Sequence, residues 1–162
     1  LAKVSRLWDL IQHKCQQRRT SRTVEQFYRQ RYFAEASEFL EDPGSMRVDW
    51  TVCKLALAHA AEMSRRRSFK VGVAIFPELY HLDARHPFTD VYALVERTCA
   101  DLGIPPLNLF ATTFRGHDPR KLWVHPTDHH PNEIAHRMAA DAIAEFLADP
   151  ANKLMAPVSA GR

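Results

Sequence analysis

The sequence has no apolar run long enough to cross a bilayer, so no membrane span is expected. It also lacks a charge excess. Lys and Arg number 22 against 19 Asp and Glu, and the formal net charge of +3 is too small to argue for nucleic acid. The one basic run, Arg65-Arg66-Arg67, is read as the exposed end of a helix, where cations suit the dipole. Cysteine is scarce. Cys15, Cys53 and Cys99 are odd in number, far apart and each within an apolar helical pattern, which argues against a disulfide framework and for small buried hydrophobes. No internal repeat or low-complexity block is present. The chain begins at Leu1, without Met or a signal-like region, and is expected to be a piece of a longer polypeptide, so no compartment follows. What is there amounts to 162 residues, 46% hydrophobic and 25% charged, an ordinary globular composition for one domain.

The chemistry concentrates in His125-Pro126-Thr127-Asp128-His129-His130-Pro131-Asn132. Pro131 suits the first turn of a following helix, whose apolar stripe is Ile134, Met138, Ala142 and Phe146, with Ala139, Ile143 and Leu147 alongside. The polar cluster then lies on an extended loop, where residues i and i+2 project to one side. Asp128 and His130 can meet, and His129 points away. A carboxylate on one imidazole nitrogen fixes the tautomer and frees the other as a general base. Two other readings share these residues. In one, the loop is only a turn and cap in a binding or scaffold module. In the other, His125, Asp128, His129, His130 and His136 hold a catalytic metal, although His129 and His130 face opposite ways and no pair has helical i, i+4 ligand spacing.

Asp128-His129-His130-Pro131-Asn132, with Ala135-His136 and the alanine-rich helix, resembles the last conserved block of the SGNH (GDSL-type) hydrolases. The match is specific over residues 122–147 and looser over 69–114, where the order of elements agrees. The resemblance implies a serine-dependent ester hydrolase or acyl transferase. His130 would be the general base and Asp128 its orienting partner, with no cofactor and no metal. The Gly-Asp-Ser and Gly-x-Asn-Asp blocks of the family are not in the sequence, so the nucleophilic serine and oxyanion donors are expected outside this chain. The implied fold is α/β, a three-layer flavodoxin-like parallel sheet with helices on both faces. This chain would supply its C-terminal part plus a helical insertion. The implied partners are a small-molecule, carbohydrate or lipid acyl ester and the missing N-terminal segment of the same domain.

Periodicity fills in the rest. Helices are predicted over 3–18 and about 22–40, with Thr20 or Ser21 as the second one's N-cap. Phe27, Tyr28, Tyr32 and Phe33 are read chiefly as helix packing and secondarily as an acyl pocket. Asp42-Pro43-Gly44-Ser45 breaks the chain before a third helix, roughly 48–65, with His59 near its apolar side. Residues 1–66 thus form a helical segment. Residues 69–148 follow as strand, helix, strand, loop and helix, and 149–162 as a loosely ordered tail. The strand at 69–76 is apolar enough to be buried on both faces of a parallel sheet. The crossover helix at 87–102 carries Phe88, Val91, Val95, Cys99 and Leu102 and ends at Gly103. It leads to a second parallel strand at 107–111. Glu78 and His81, just beyond the first strand, are with His129 the substrate-binding candidates, since open α/β sheets bind ligands at the carboxyl ends of their strands. The alternative reading of Glu78 and His81 is a solvated loop.

Overall fold

A computed structural model describes residues 2–41 and 47–155, and the chain in it is a mix of helices with two small sheets. Two helices lead, α1 (Ala2–Glu41) and α2 (Arg47–Arg67). Next come β1 (Val73–Ile75), α3 (Thr89–Asp101) and β2 (Pro106–Asn108). β1 and β2 pair in parallel, Ala74 opposite Leu107, with α3 as the crossover, as the periodicity predicted. Gly103 turns the chain out of α3 at φ +70°, a conformation that costs a residue without Cβ nothing. The Ile104 N–H bonds back to the Cys99 carbonyl there.

A hairpin of β3 (Trp123–His125) and β4 (Asp128–Pro131) follows, then α4 (Glu133–Ala148). The main core gathers Leu79, Leu82, Tyr92, Leu109, Phe110 and Phe114 under the hairpin and α4. A second, smaller core joins α2 to α3 through Ala61, Cys99 and Ile104.

Several expectations are corrected. The helices predicted at 3–18 and 22–40 are one helix, because no Pro or Gly interrupts residues 2–41. Nearby, the Thr23 hydroxyl donates back to the Arg19 carbonyl as a mid-helix residue does. β1 is three residues long and not buried on both faces, for Ala74 is exposed. The second strand ends at Asn108, whose side chain accepts from the Ala111 N–H and donates to Glu96. Phe110–Phe114 then wind into a π-helical turn. Of the cysteines only Cys99 is buried, while Cys15 and Cys53 are exposed on helix surfaces. On α4 the buried line runs through Ala135 and Ala139, and Ile134 and Leu147 face outward. His59 is exposed. Within the region read as tail, Pro150–Asn152 form a 3₁₀ turn, held by Asn152 donating to the Phe146 carbonyl. The Asp42–Ser45 break and the tail from 156 lie outside the described residues.

Candidate active site

The motif lies on the β3–β4 hairpin instead of a long loop. Trp123 pairs with Pro131 and His125 with Asp128, and Pro126 and Thr127 make the turn. His125 Nδ1 and the Thr127 hydroxyl, 2.8 Å apart, close it. Pro131 ends β4 and does not begin the helix. The N-cap of α4 is Asn132, whose Oδ1 accepts from the Ile134 and Ala135 N–H groups at 3.0 and 3.1 Å. Its Nδ2 donates back to the Lys121 and Trp123 carbonyls. One side chain therefore joins hairpin to helix.

Strand alternation puts Asp128 and His130 on one side and His129 on the other. His130 Nδ1 lies 2.5 Å from Asp128 Oδ1, and the His130 backbone N–H donates to the same oxygen at 3.1 Å. A carboxylate can only accept, so the Nδ1 nitrogen carries the proton and Nε2 is free as a base. The His130 ring beside it holds the Asp128 carboxyl below the usual carboxylate range. The His130 side chain is 84% exposed.

His130 borders an open cleft of about 410 Å³ between the hairpin and α1, shared with Tyr28, Tyr32, Glu78 and His129. Phe27 and Phe33 of the aromatic group are exposed elsewhere on α1. Glu78 accepts from the Tyr32 hydroxyl at 2.9 Å. Burial first, and Glu78 next, push the Tyr32 hydroxyl pKa up. His81 has φ +46° and lines a different cleft, of about 460 Å³, with Asp83, Arg85, His117, Asp118 and Arg120. The structure thus brings Glu78 and His129 to the dyad cleft and leaves His81 out of it.

The loop carrying Glu78 is held by a buried relay that the sequence did not signal. His86 Nδ1 faces the Tyr80 carbonyl at 2.8 Å, so that nitrogen is the donor and Nε2 accepts from the Tyr92 hydroxyl at 3.1 Å. The Tyr92 oxygen in turn accepts from the Glu78 N–H. Burial lowers the His86 pKa, which keeps the ring neutral. Tyr92→Phe strips both partners at once and is expected to cost about 2 kcal/mol, read as a lower urea midpoint at unchanged m-value. A loss below about 0.5 kcal/mol would contradict the relay.

Among the described residues no group of three or more His, Cys, Asp or Glu side chains could hold a metal ion. No helix among them is long and apolar enough to cross a membrane. No family model, no curated protein and no solved structure matches this chain.

Proposed function

We propose that this chain is the C-terminal part of a serine-dependent ester hydrolase or acyl transferase of the SGNH type, with Asp128 and His130 as two members of its triad. The observation that carries the reading is the 2.5 Å contact between Asp128 and His130 Nδ1, which leaves Nε2 free on a residue that borders an open cleft. In the reaction, Nε2 takes the proton of a serine hydroxyl as its oxygen attacks the acyl carbonyl. It then returns that proton to the departing alcohol. Asp128 holds the ring and stabilises the imidazolium. Water, activated by the same nitrogen, releases the acyl group from the serine. The serine and the oxyanion donors come from a segment outside residues 1–162, since the sequence has no Gly-Asp-Ser or Gly-x-Asn-Asp. The flavodoxin-like reading is supported by the parallel β1–α3–β2 unit and by the exposed Ala74 of β1, on a face that a further layer would cover. The substrate class is a small-molecule, carbohydrate or lipid acyl ester. The test uses the full-length protein, a p-nitrophenyl acyl ester and a fluorophosphonate. Hydrolysis unaffected by EDTA, with stoichiometric phosphonylation of one serine, is expected. Activity lost to EDTA and restored by zinc would sink this reading in favour of the metal one.

A further inference from the structure

His129 faces away from the dyad, yet it is only 7% exposed. Its ring stacks on Trp123 of β3, centroids 3.8 Å apart and planes at 14°. On α1, the Tyr28 ring lies 4.5 Å from it, and Tyr28 stacks in turn on Tyr32 at 5.4 Å. A column therefore runs Trp123, His129, Tyr28, Tyr32, and it crosses from the hairpin to α1. Its second anchor is the Tyr32 hydroxyl on Glu78. Neither ring nitrogen of His129 finds a hydrogen-bond partner among the described residues, and both are buried. An imidazole enclosed in this way packs as an aromatic ring.

We propose that His129 is a positioning residue, whose neutral ring, clamped between Trp123 and Tyr28, seats α1 against the hairpin that carries Asp128 and His130. Adjacent in β4, His129 and His130 share a peptide unit, so the clamp on one ring fixes the backbone from which the other projects. The clamp depends on charge. A proton placed on this ring would sit on a buried nitrogen with no acceptor among the described residues, which is costly. Burial is the largest influence and lowers the His129 pKa. Glu25 of α1, Asp128 of its own strand and Glu78 of the loop after β1 pull the other way. So does the Pro126 carbonyl, at a geometry that makes no hydrogen bond. The sign follows from linkage. With a folded pKa below the ordinary value of about 6.5, the docked state binds fewer protons than the released one. Docking is at full strength above that pH and weakens as pH falls from there toward the folded pKa.

The proposal rests on the ester-hydrolase reading only in its activity arm. Hydrogen exchange of the protein, followed from pH 8 to 5 and expressed as protection factors, reads α1 directly. Protection over residues 24–36, relative to α4, should fall about tenfold for each unit that separates the two pKa values. His129→Phe keeps the stack and removes the proton site, so α1 protection should become flat with pH. Tyr28→Ala breaks the column from the other side and should leave α1 weakly protected at every pH. His86 also titrates, but it stacks on Phe110 in the main core, so its effect appears in α4 as well and cancels in the ratio. In the activity arm, Tyr28→Ala and His129→Ala should lower kcat for p-nitrophenyl acetate about tenfold with KM within twofold, and His129→Phe should recover kcat relative to His129→Ala. Unchanged pH dependence of α1 in His129→Phe, or unchanged α1 protection in Tyr28→Ala, overturns the proposal. Absence of any esterase activity would overturn the ester-hydrolase reading and leave the exchange experiment decisive for the column.

Discussion

His130→Ala in the full-length protein should lower kcat/KM for p-nitrophenyl acetate at pH 8 by about 10³–10⁴-fold, and leave the urea midpoint unchanged. In the proposed reaction, removing the base would leave the serine hydroxyl in its ordinary, weakly nucleophilic state and the departing alcohol without a proton donor. The loss corresponds to about 4–5.5 kcal/mol of transition-state stabilisation. Stability should be indifferent, because the His130 side chain is 84% exposed and its side-chain partner among the described residues is a half-exposed Asp128. Asp128→Asn should cost nearly as much activity, about 10²–10⁴-fold, since an amide can donate to Nδ1 and so offer Nε2 the wrong tautomer. The Asp128 carboxyl is held below its ordinary pKa, chiefly by the His130 hydrogen bond. It is therefore ionised above the ordinary carboxyl range, and its contribution disappears only as pH falls through its lowered value. If His130→Ala retained more than a tenth of wild-type kcat/KM, the dyad would not be the catalytic base, whatever its geometry.

That geometry was legible because it is local. Two residues at i and i+2 in extended backbone face one side whether a loop or a strand carries them, so Asp128 and His130 were placed together even with the hairpin unforeseen. The β1–α3–β2 unit was legible for a similar reason. An apolar run, an amphipathic helix closed by Gly103 and a second apolar run leave few topologies. The hairpin itself was not. β3 is Trp-Val-His, three residues flanked by Leu122 and Pro126, and three residues are too few to show alternation. Asn108 illustrates a different failure. Leu107 to Ala111 reads as a strand by composition, and the Asn108 side chain overrides it by capping the turn that follows. The column and the His86 relay are further out of reach. Tyr28 and His129 are joined only by tertiary packing, and a histidine that serves as an aromatic plate has the same letter as one that serves as a base.

Asn132 is where the two levels meet, and its removal should be the most damaging single change to stability on the hairpin. Asn132→Ala deletes the cap of α4, worth about 1 kcal/mol. It also strands the Lys121 and Trp123 carbonyls, which Nδ2 reaches at 2.9 and 3.1 Å, at about 1 kcal/mol each. The expected total is about 3 kcal/mol, a drop of roughly 6–12 °C in Tm for a chain of this size. Two further variants separate the parts. Asn132→Ser keeps an acceptor for the Ile134 and Ala135 N–H groups and should recover about 1 kcal/mol. Asn132→Asp keeps the acceptor too, and its charge suits the helix N-terminus. It gives up the Nδ2 donor, however, and aims a carboxylate at two carbonyls, so it should recover less than Ser despite the better cap. The order wild type, Ser, Asp, Ala in urea midpoint is the signature of a side chain that acts in both directions. Asp equal to wild type would mean that capping is its whole role and that the hairpin is held to α4 by other contacts. In that case His130 would keep its position without Asn132, and kcat of the Ala variant, measured where it is fully folded, would match wild type. The two-way bridge predicts instead a kcat about tenfold lower under the same conditions, because a His130 free to swing spends less time within reach of the serine.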